Sequence, residues 1–233
     1  MTRAVRLALI RHGESAWIAE GRFQGQGDPP LSAAGERQAA AVAARLAAPR
    51  AMPSLPVPDA PPLAIWHSPL RRAEQTARAV HEARAGDASL RPLDELMELG
   101  QGEWEGLTHA EVRQRWPAEL AAWRDDPLHH QAPGGESLED GRRRVQVARE
   151  VMVSGEAAGR DAWAIVVAHD GILRLLMLDL LDIGIEHFWS FPLTLASVTV
   201  LDLSGDVAQL RAHNLDAHVA ALGSSGERPP GAL

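Results

Sequence analysis

The chain has 233 residues, 45% of them hydrophobic and 23% charged, enough for a well-buried α/β domain and unlike disordered or fibrous sequence. A formal net charge of −8 argues against general attraction to nucleic acid or an anionic membrane surface, which need a broad basic face, so an anionic ligand must be drawn by a local cluster. Cysteine is absent, which removes disulfides, thiolate metal sites and thiol nucleophiles; with neither a signal-peptide core nor a bilayer-spanning apolar run, the expected location is cytoplasmic.

In chain order, Val5 to Ile10 form a short apolar run that stops at Arg11-His12-Gly13, the pattern of a buried strand delivering a charged pair to a sheet edge. Ser32 precedes an Ala-rich stretch with Ala39, Val42, Ala43 and Leu46 on one face, which predicts a capped helix to about Ala48. Between Pro49 and Pro62, six of fourteen residues are proline, which predicts an extended, solvated surface excursion. Leu63 to His67 reads as a second strand. Ser68 as N-cap and Pro69 at the first helical position then open a helix with Leu70, Ala73, Ala77 and Val80 at helical spacing.

Ser89 to Leu93 reads as a further strand, followed by a Glu- and Gly-rich loop to Gly106 and helical sequence from Thr108 through Trp123. Pro133-Gly134-Gly135-Glu136-Ser137 makes a turn and N-cap for a helix to about Val153, with Asp140 completing a capping box. Ala162 to Ala168 is the clearest buried strand and ends in His169-Asp170-Gly171, before the apolar helix Ile172 to Leu181. Ala196 to Leu203 and Val207 to Arg211, parted by Ser204-Gly205-Asp206, read as a closing hairpin. Residues 223–233 are expected to form a disordered tail, leaving 1–222 as a single domain. Strand and helix patterns alternate, so the expected fold class is α/β, with a mainly parallel sheet covered by helices on both faces. The functional crevice of such sheets lies beyond the carboxyl ends of the strands, where His12 and His169 both fall.

A charged Arg11 beside His12 at a strand end is costly unless something anionic occupies the site. Neutral imidazole is a competent nucleophile near neutral pH, and a neighbouring guanidinium presents a fork to phosphate oxygens. Arg72 falls in the first turn of its helix, where the macrodipole disfavours a cation and an anion would resolve the conflict; adjacent Arg71 reads as solvated. His169 repeats the strand-then-His pattern, and Gly171 permits close backbone approach. A protonated carboxyl near such a site could donate to a departing alkoxide. Glu95, Glu98, Glu103 and Glu105 all compete for that role, and spacing does not choose among them. Taken singly, each residue has an ordinary structural explanation; their joint occurrence is what points to phosphate chemistry.

Four segments in order, L-I-R-H-G-E-S-A-W, S-P-L-R-R-A-E-Q-T-A, E-L-G-Q-G-E-W-E-G and V-V-A-H-D-G, resemble the histidine phosphatase superfamily with its phosphoglycerate mutase-like branch. The resemblance spans Leu9 to about His218 and takes in G-R-F-Q-G-Q-G-D-P-P-L-S-A-A-G-E-R-Q-A and P-G-G-E-S-L. It implies a three-layer α/β/α fold, a phosphohistidine at His12, a phosphate pocket completed by Arg11, Arg72 and His169, and Glu98 as acid and base. It further implies that Gln24, Ser15 and Gly171 contact substrate, and that neither a metal nor another cofactor is needed. His129-His130 beside Asp125-Asp126 reads as a polar loop. The expected partner is a small phosphorylated substrate, without nucleic acid or membrane, and a homodimer is compatible with the sequence.

Two positions depart from the pattern: Ile18 stands where many relatives have an Asn that can touch phosphate, and Asp170 where Gly is frequent. Asp170 is expected to cap the helix beginning at Gly171. The short Gly106–Pro133 interval and P-G-G-E-S-L resemble the phosphatase branch, including enzymes acting on α-ribazole phosphate, more than the mutases. A phosphoglycerate mutase and an inactive phosphate-binding module are the alternatives, and the complete set of His12, Arg11, Arg72, Glu98 and His169 speaks against the second. Trp17, Phe23, Trp104 and Trp116 read either as an apolar wall for substrate or as core.

Overall fold

A computed structural model describes residues 4–86, 88–154, 162–205, 207–220 and 222; the tail expected at 223–233 lies outside the described residues. Its six-stranded sheet is built from β1 (Ala4–Arg11), β2 (Ala64–His67), β3 (Ser89–Pro92), β4 (Trp163–Ala168), β5 (Val198–Ser204) and β6 (Val207–Leu215), in the order β3-β2-β4-β1-β5-β6. The first four are mutually parallel, and the hairpin β5-β6 joins antiparallel to β1. Arg11 pairs with Ala168 and His67 with Val167. That register ends three strands at one edge, so His12, Ser68 and His169 emerge side by side.

Alternation along β1 explains the layering. Leu7 and Leu9 belong to one buried cluster, Ala8 and Ile10 to another on the opposite face. The face of Ala8 and Ile10 packs on α2 (Ala33–Ala47) and α3 (Arg71–Val80) through Val42, Leu46, Ala77 and Val80. The other face packs on α6 (Leu138–Ser154) and α7 (Asp170–Leu181) through Leu138, Val145, Leu173 and Leu176. The result is the three-layer α/β/α sandwich that the strand and helix alternation predicts. The remaining helices are α1 (Ala16–Ala19), α4 (His109–Arg115), α5 (Pro117–Asp125) and α8 (Ala217–Ala220).

Several expected boundaries move, each for a local reason. Thr108 through Trp123 is not one helix, because Pro117 disfavours helical backbone at Trp116, which takes φ −133° and ψ 57° between α4 and α5. The helix after β2 starts at Arg71, not Pro69. Leu70 is extended at its N-cap and offers no side-chain cap, and Asp28 Oδ1 accepts the Arg71 N–H at 2.6 Å from a distant loop. Ser137 and Asp140 do form the expected reciprocal cap, with both backbone bonds at 3.1 Å.

The proline-rich excursion is not solvated throughout. Leu55 and Val57 are 2% and 1% exposed within the α2–α3 core, a burial that stabilises by roughly 1.5–3 kcal/mol per side chain. Arg6 donates to the Pro56 carbonyl at 2.8 Å and Trp163 Nε1 to that of Ala60 at 2.9 Å. Proline removes backbone donors, so side chains from the sheet supply the bonds to its carbonyls.

Candidate active site

His12 is 1% exposed just beyond β1. Its Nδ1 lies 2.6 Å from the Gly13 carbonyl, which can only accept, so in the neutral ring the proton sits on Nδ1 and the lone pair on Nε2. The turn that carries it is held against α2: a Cβ on Gly13 would stand 2.5 Å from the Gly35 carbonyl oxygen, and one on Gly35 would stand 1.9 Å from that of Glu14. Both positions therefore exclude any side chain. The His169 ring meets that of His12 edge to face, with centroids 5.0 Å apart. Its Nε2 lies 2.8 Å from Ser68 Oγ, at the end of β2. Burial, reinforced by Arg72, His12 and Arg11, pushes the His169 pKa well below the usual imidazole range, so this ring is neutral.

Arg72 is fully buried. Its two terminal nitrogens donate to the Gly27 and Gly25 carbonyls at 2.7 and 2.8 Å, so the loop Gln24-Gly25-Gln26-Gly27 wraps the guanidinium. Burial lowers its pKa to about 10, with Glu98, Asp28 and Glu105 opposing the shift, and it stays charged at neutral pH. Arg11 donates to the Leu193 carbonyl, and its Nη1 lies 3.6 Å from Asp170. Arg11 Nε, Arg72 Nε and His169 Nδ1 are buried with no hydrogen-bond partner among the described residues. Unpartnered buried side-chain atoms also occur at other described residues, Trp66 and Arg124 among them; these three are set apart by belonging to the two arginines and the histidine around His12.

Burial separates the four carboxylates that spacing leaves equivalent. Glu98 is 2% exposed, Glu95 and Glu105 are intermediate, and Glu103 is exposed. Burial raises the Glu98 pKa, Asp170 adds to the rise, and Arg72 opposes it. Its carboxylate accepts from the N–H groups of Leu99 at 2.9 Å, Gly171 at 3.3 Å and Ile172 at 3.1 Å, so Glu98 caps α7. Asp170 therefore is not the cap. It is the first residue inside α7, and its oxygens accept from Arg174 at 3.0 and 3.3 Å. Arg174 in turn lies 5.8 and 5.3 Å from the ring centroids of Phe188 and Trp189. The Asp170 carboxylate thus stands between two guanidinium groups, which compensates its charge beside the pocket.

Ser15 caps α1 by accepting from Ile18 N–H at 3.1 Å, and its hydroxyl donates to Gln24 Oε1. The Gly171 N–H is taken by Glu98. Ile18 is partly exposed in α1, Arg71 is exposed, and Phe23 and Trp104 are core. Trp17 lies over Gly27, where a Cβ would meet its ring at 2.3 Å. His129 is a surface partner of Asp126 at 2.8 Å.

Sequence patterning does not single out Arg144, Glu136 or Gln26, yet they hold the loop that carries Glu98. From α6, Arg144 donates to the carbonyls of Glu95, Met97 and Glu98 at 2.9, 2.8 and 3.1 Å, and to both oxygens of Glu136. Gln26 donates to the Glu98 carbonyl at 3.2 Å and to Glu136 at 3.1 Å. An arginine on a polar helical face carries no signal of this kind; only the P-G-G-E-S turn marked the region.

A mainly parallel sheet that gathers two histidines and two arginines with unsatisfied donors at its carboxyl edge defines an α/β protein with a cationic cluster where such folds place their ligands. The histidine phosphatase superfamily (branch 1) model matches residues 7–216, and the chain belongs to that family. It is 32% identical over 202 residues to phosphoserine phosphatase 1 of Hydrogenobacter thermophilus, covering 85% of this chain and 87% of that one. It is 37% identical over 194 residues to a glucosyl-3-phosphoglycerate phosphatase of Mycolicibacterium vanbaalenii, covering 80% and 78%. The chain spans about half the length of some other curated relatives, 51% in a bifunctional protein of Mycobacterium tuberculosis. Among solved structures, a putative α-ribazole-5'-P phosphatase of Escherichia coli superposes with a TM-score of 0.75 at 28% identity, covering 90% of this chain and 96% of that one.

Proposed function

We propose that the protein is a phosphomonoesterase that hydrolyses a small phosphorylated metabolite through a phosphohistidine at His12, with neither metal nor cofactor in the reaction. The observation that carries this reading is the trio of buried, unpartnered atoms on Arg11, Arg72 and His169 around a histidine whose Nδ1 is already engaged. The His12 Nε2 lone pair attacks phosphorus, and the bond from phosphorus to the ester oxygen breaks. Arg11 and Arg72 neutralise charge on the equatorial oxygens, with the His169 Nδ1–H as a further donor. Glu98, whose pKa burial raises, gives its proton to the departing oxygen. Water then attacks phosphorus, Glu98 takes up its proton, and the phosphorus–nitrogen bond breaks to release phosphate.

Relatives named for phosphoserine, glucosyl-3-phosphoglycerate and α-ribazole phosphate share the phosphate ester and differ in the alcohol. They support a phosphomonoester as the substrate class. The test is hydrolysis of p-nitrophenyl phosphate with and without a chelator, by wild type and His12→Ala, with 3-phosphoglycerate interconversion assayed alongside. Chelator-resistant phosphate release that vanishes in the variant, with little interconversion, is expected. Strong interconversion would make the protein a mutase, and a folded protein without either activity would overturn the enzymatic reading.

A further inference from the structure

We infer that Ser68 is a positioning residue that fixes the tautomer of His169, so that the ring presents its Nδ1–H to a bound phosphoryl group. The inference rests on the phosphoryl reading of the site and adds a residue that the family resemblance did not assign. Ser68 is fully buried where β2 gives way to α3. Its N–H donates to the Val167 carbonyl at 3.0 Å, and its own carbonyl accepts from His67 Nδ1 at 2.9 Å, so its backbone is held on both sides. The Leu70 N–H donates into Ser68 Oγ at 3.2 Å. A hydroxyl has one hydrogen and two lone pairs. With Leu70 on one lone pair, the hydroxyl hydrogen needs an acceptor, and His169 Nε2 stands 2.8 Å away.

When Ser68 donates, Nε2 is bare and the His169 proton resides on Nδ1, the ring nitrogen with no partner among the described residues. The opposite tautomer would leave a buried lone pair on Nδ1 facing no donor. It would also remove one donor from the set formed with Arg11 Nε and Arg72 Nε. A second hydrogen on Nε2 would charge the ring beside two guanidinium groups. Ser68 thus turns an amphoteric ring into a fixed N–H donor for an anion.

The test uses the full chain labelled with 15N, with long-range proton–nitrogen spectra of the imidazole rings and His169 assigned through His169→Gln. The wild type is expected to show a protonated Nδ1 and a bare Nε2. In Ser68→Ala the preference is lost, and inorganic phosphate, titrated as the probe, binds about tenfold more weakly, the scale of one net hydrogen bond; Ser68→Thr restores both. A protonated Nε2 in the wild type overturns the inference whatever the variants do. So does Ser68→Ala that keeps the wild-type tautomer, or that keeps wild-type phosphate affinity. Turnover of p-nitrophenyl phosphate is measured on the same samples: a folded, inactive protein with the Nδ1–H tautomer refutes the phosphatase reading and upholds the Ser68 assignment.

Discussion

At the scale of single residues, the site depends on buried cations held by backbone carbonyls. Arg72 is fixed by the Gly25 and Gly27 carbonyls and keeps its Nε for another acceptor. A lysine would retain the charge, but it cannot span two carbonyls and an anion in one plane. Arg72→Lys is therefore expected to lower kcat/KM on the order of 100-fold, measured with p-nitrophenyl phosphate, whereas Arg71→Lys, on an exposed side chain, leaves it unchanged. Arg11 and Arg72 were legible in the sequence because each sits at a strand or helix end where a charge conflicts with its surroundings, and His12 and His169 because each directly follows a buried strand. Ser68 was legible only as a cap. Its contact with His169 joins residues 101 apart in the chain, and no local pattern encodes it.

At the scale of elements, two assemblies decide the geometry around Glu98 and Arg11. Arg144 gathers three carbonyls of the acidic loop and the carboxylate of Glu136. Arg144→Met takes this donor from the Glu95 and Met97 carbonyls and leaves Glu98 and Glu136 to Gln26 and the Gly100 N–H, and is expected to cost roughly 2–3 kcal/mol of stability. It also lowers kcat about tenfold with KM little changed, because the acid and not the phosphate grip is displaced. Denaturant melts and steady-state kinetics on the same preparation check both. In the second assembly, Asp170 lies between Arg174 and Arg11 with both ion-pair partners buried. Asp170→Asn and Arg174→Met are each expected to destabilise by about 2–4 kcal/mol, and the double variant by clearly less than their sum. A double-mutant cycle in urea measures the difference; strict additivity would show that the pair is not coupled. Asp170 stands inside α7 for a similarly long-range reason. An Asp before a glycine reads as a cap, but the α7 amides are taken by Glu98, seventy-odd residues earlier in the chain. The proline run was legible as irregular, and not as buried, because the donors that fasten it, Arg6, Arg45, Arg84 and Trp163, come from other parts of the chain.

At the scale of the whole molecule, the α/β class and its functional edge follow from strand and helix alternation. The strand order follows from long-range pairing that periodicity does not contain. Burial of ionisable groups in that fold gives stability a defined pH dependence. Burial depresses the pKa of His169 well below the ordinary imidazole value, and lowers those of His213 and His218 in the same direction. Below about pH 6.5 the unfolded chain takes up protons that the native state refuses, so stability present above that pH is lost as pH falls. Thermal unfolding followed from about pH 8 down to about pH 5.5 should show a falling Tm, with a shallower slope in His169→Gln and partial recovery when inorganic phosphate occupies the pocket. The Glu98 pKa is raised, so its contribution has the opposite sense: it is full below the ordinary glutamate value and lost as pH rises through the native one.

Whether His12 carries the phosphoryl group is tested by rapid quenching of the wild type with a labile phosphomonoester, followed by mass spectrometry of the digested chain under conditions that preserve phosphohistidine. The expected product is an acid-labile, base-stable phosphoryl group on the peptide containing His12, formed before phosphate release and absent in His12→Ala. A phosphoryl group on another residue, or hydrolysis by His12→Ala at the wild-type rate, would contradict it.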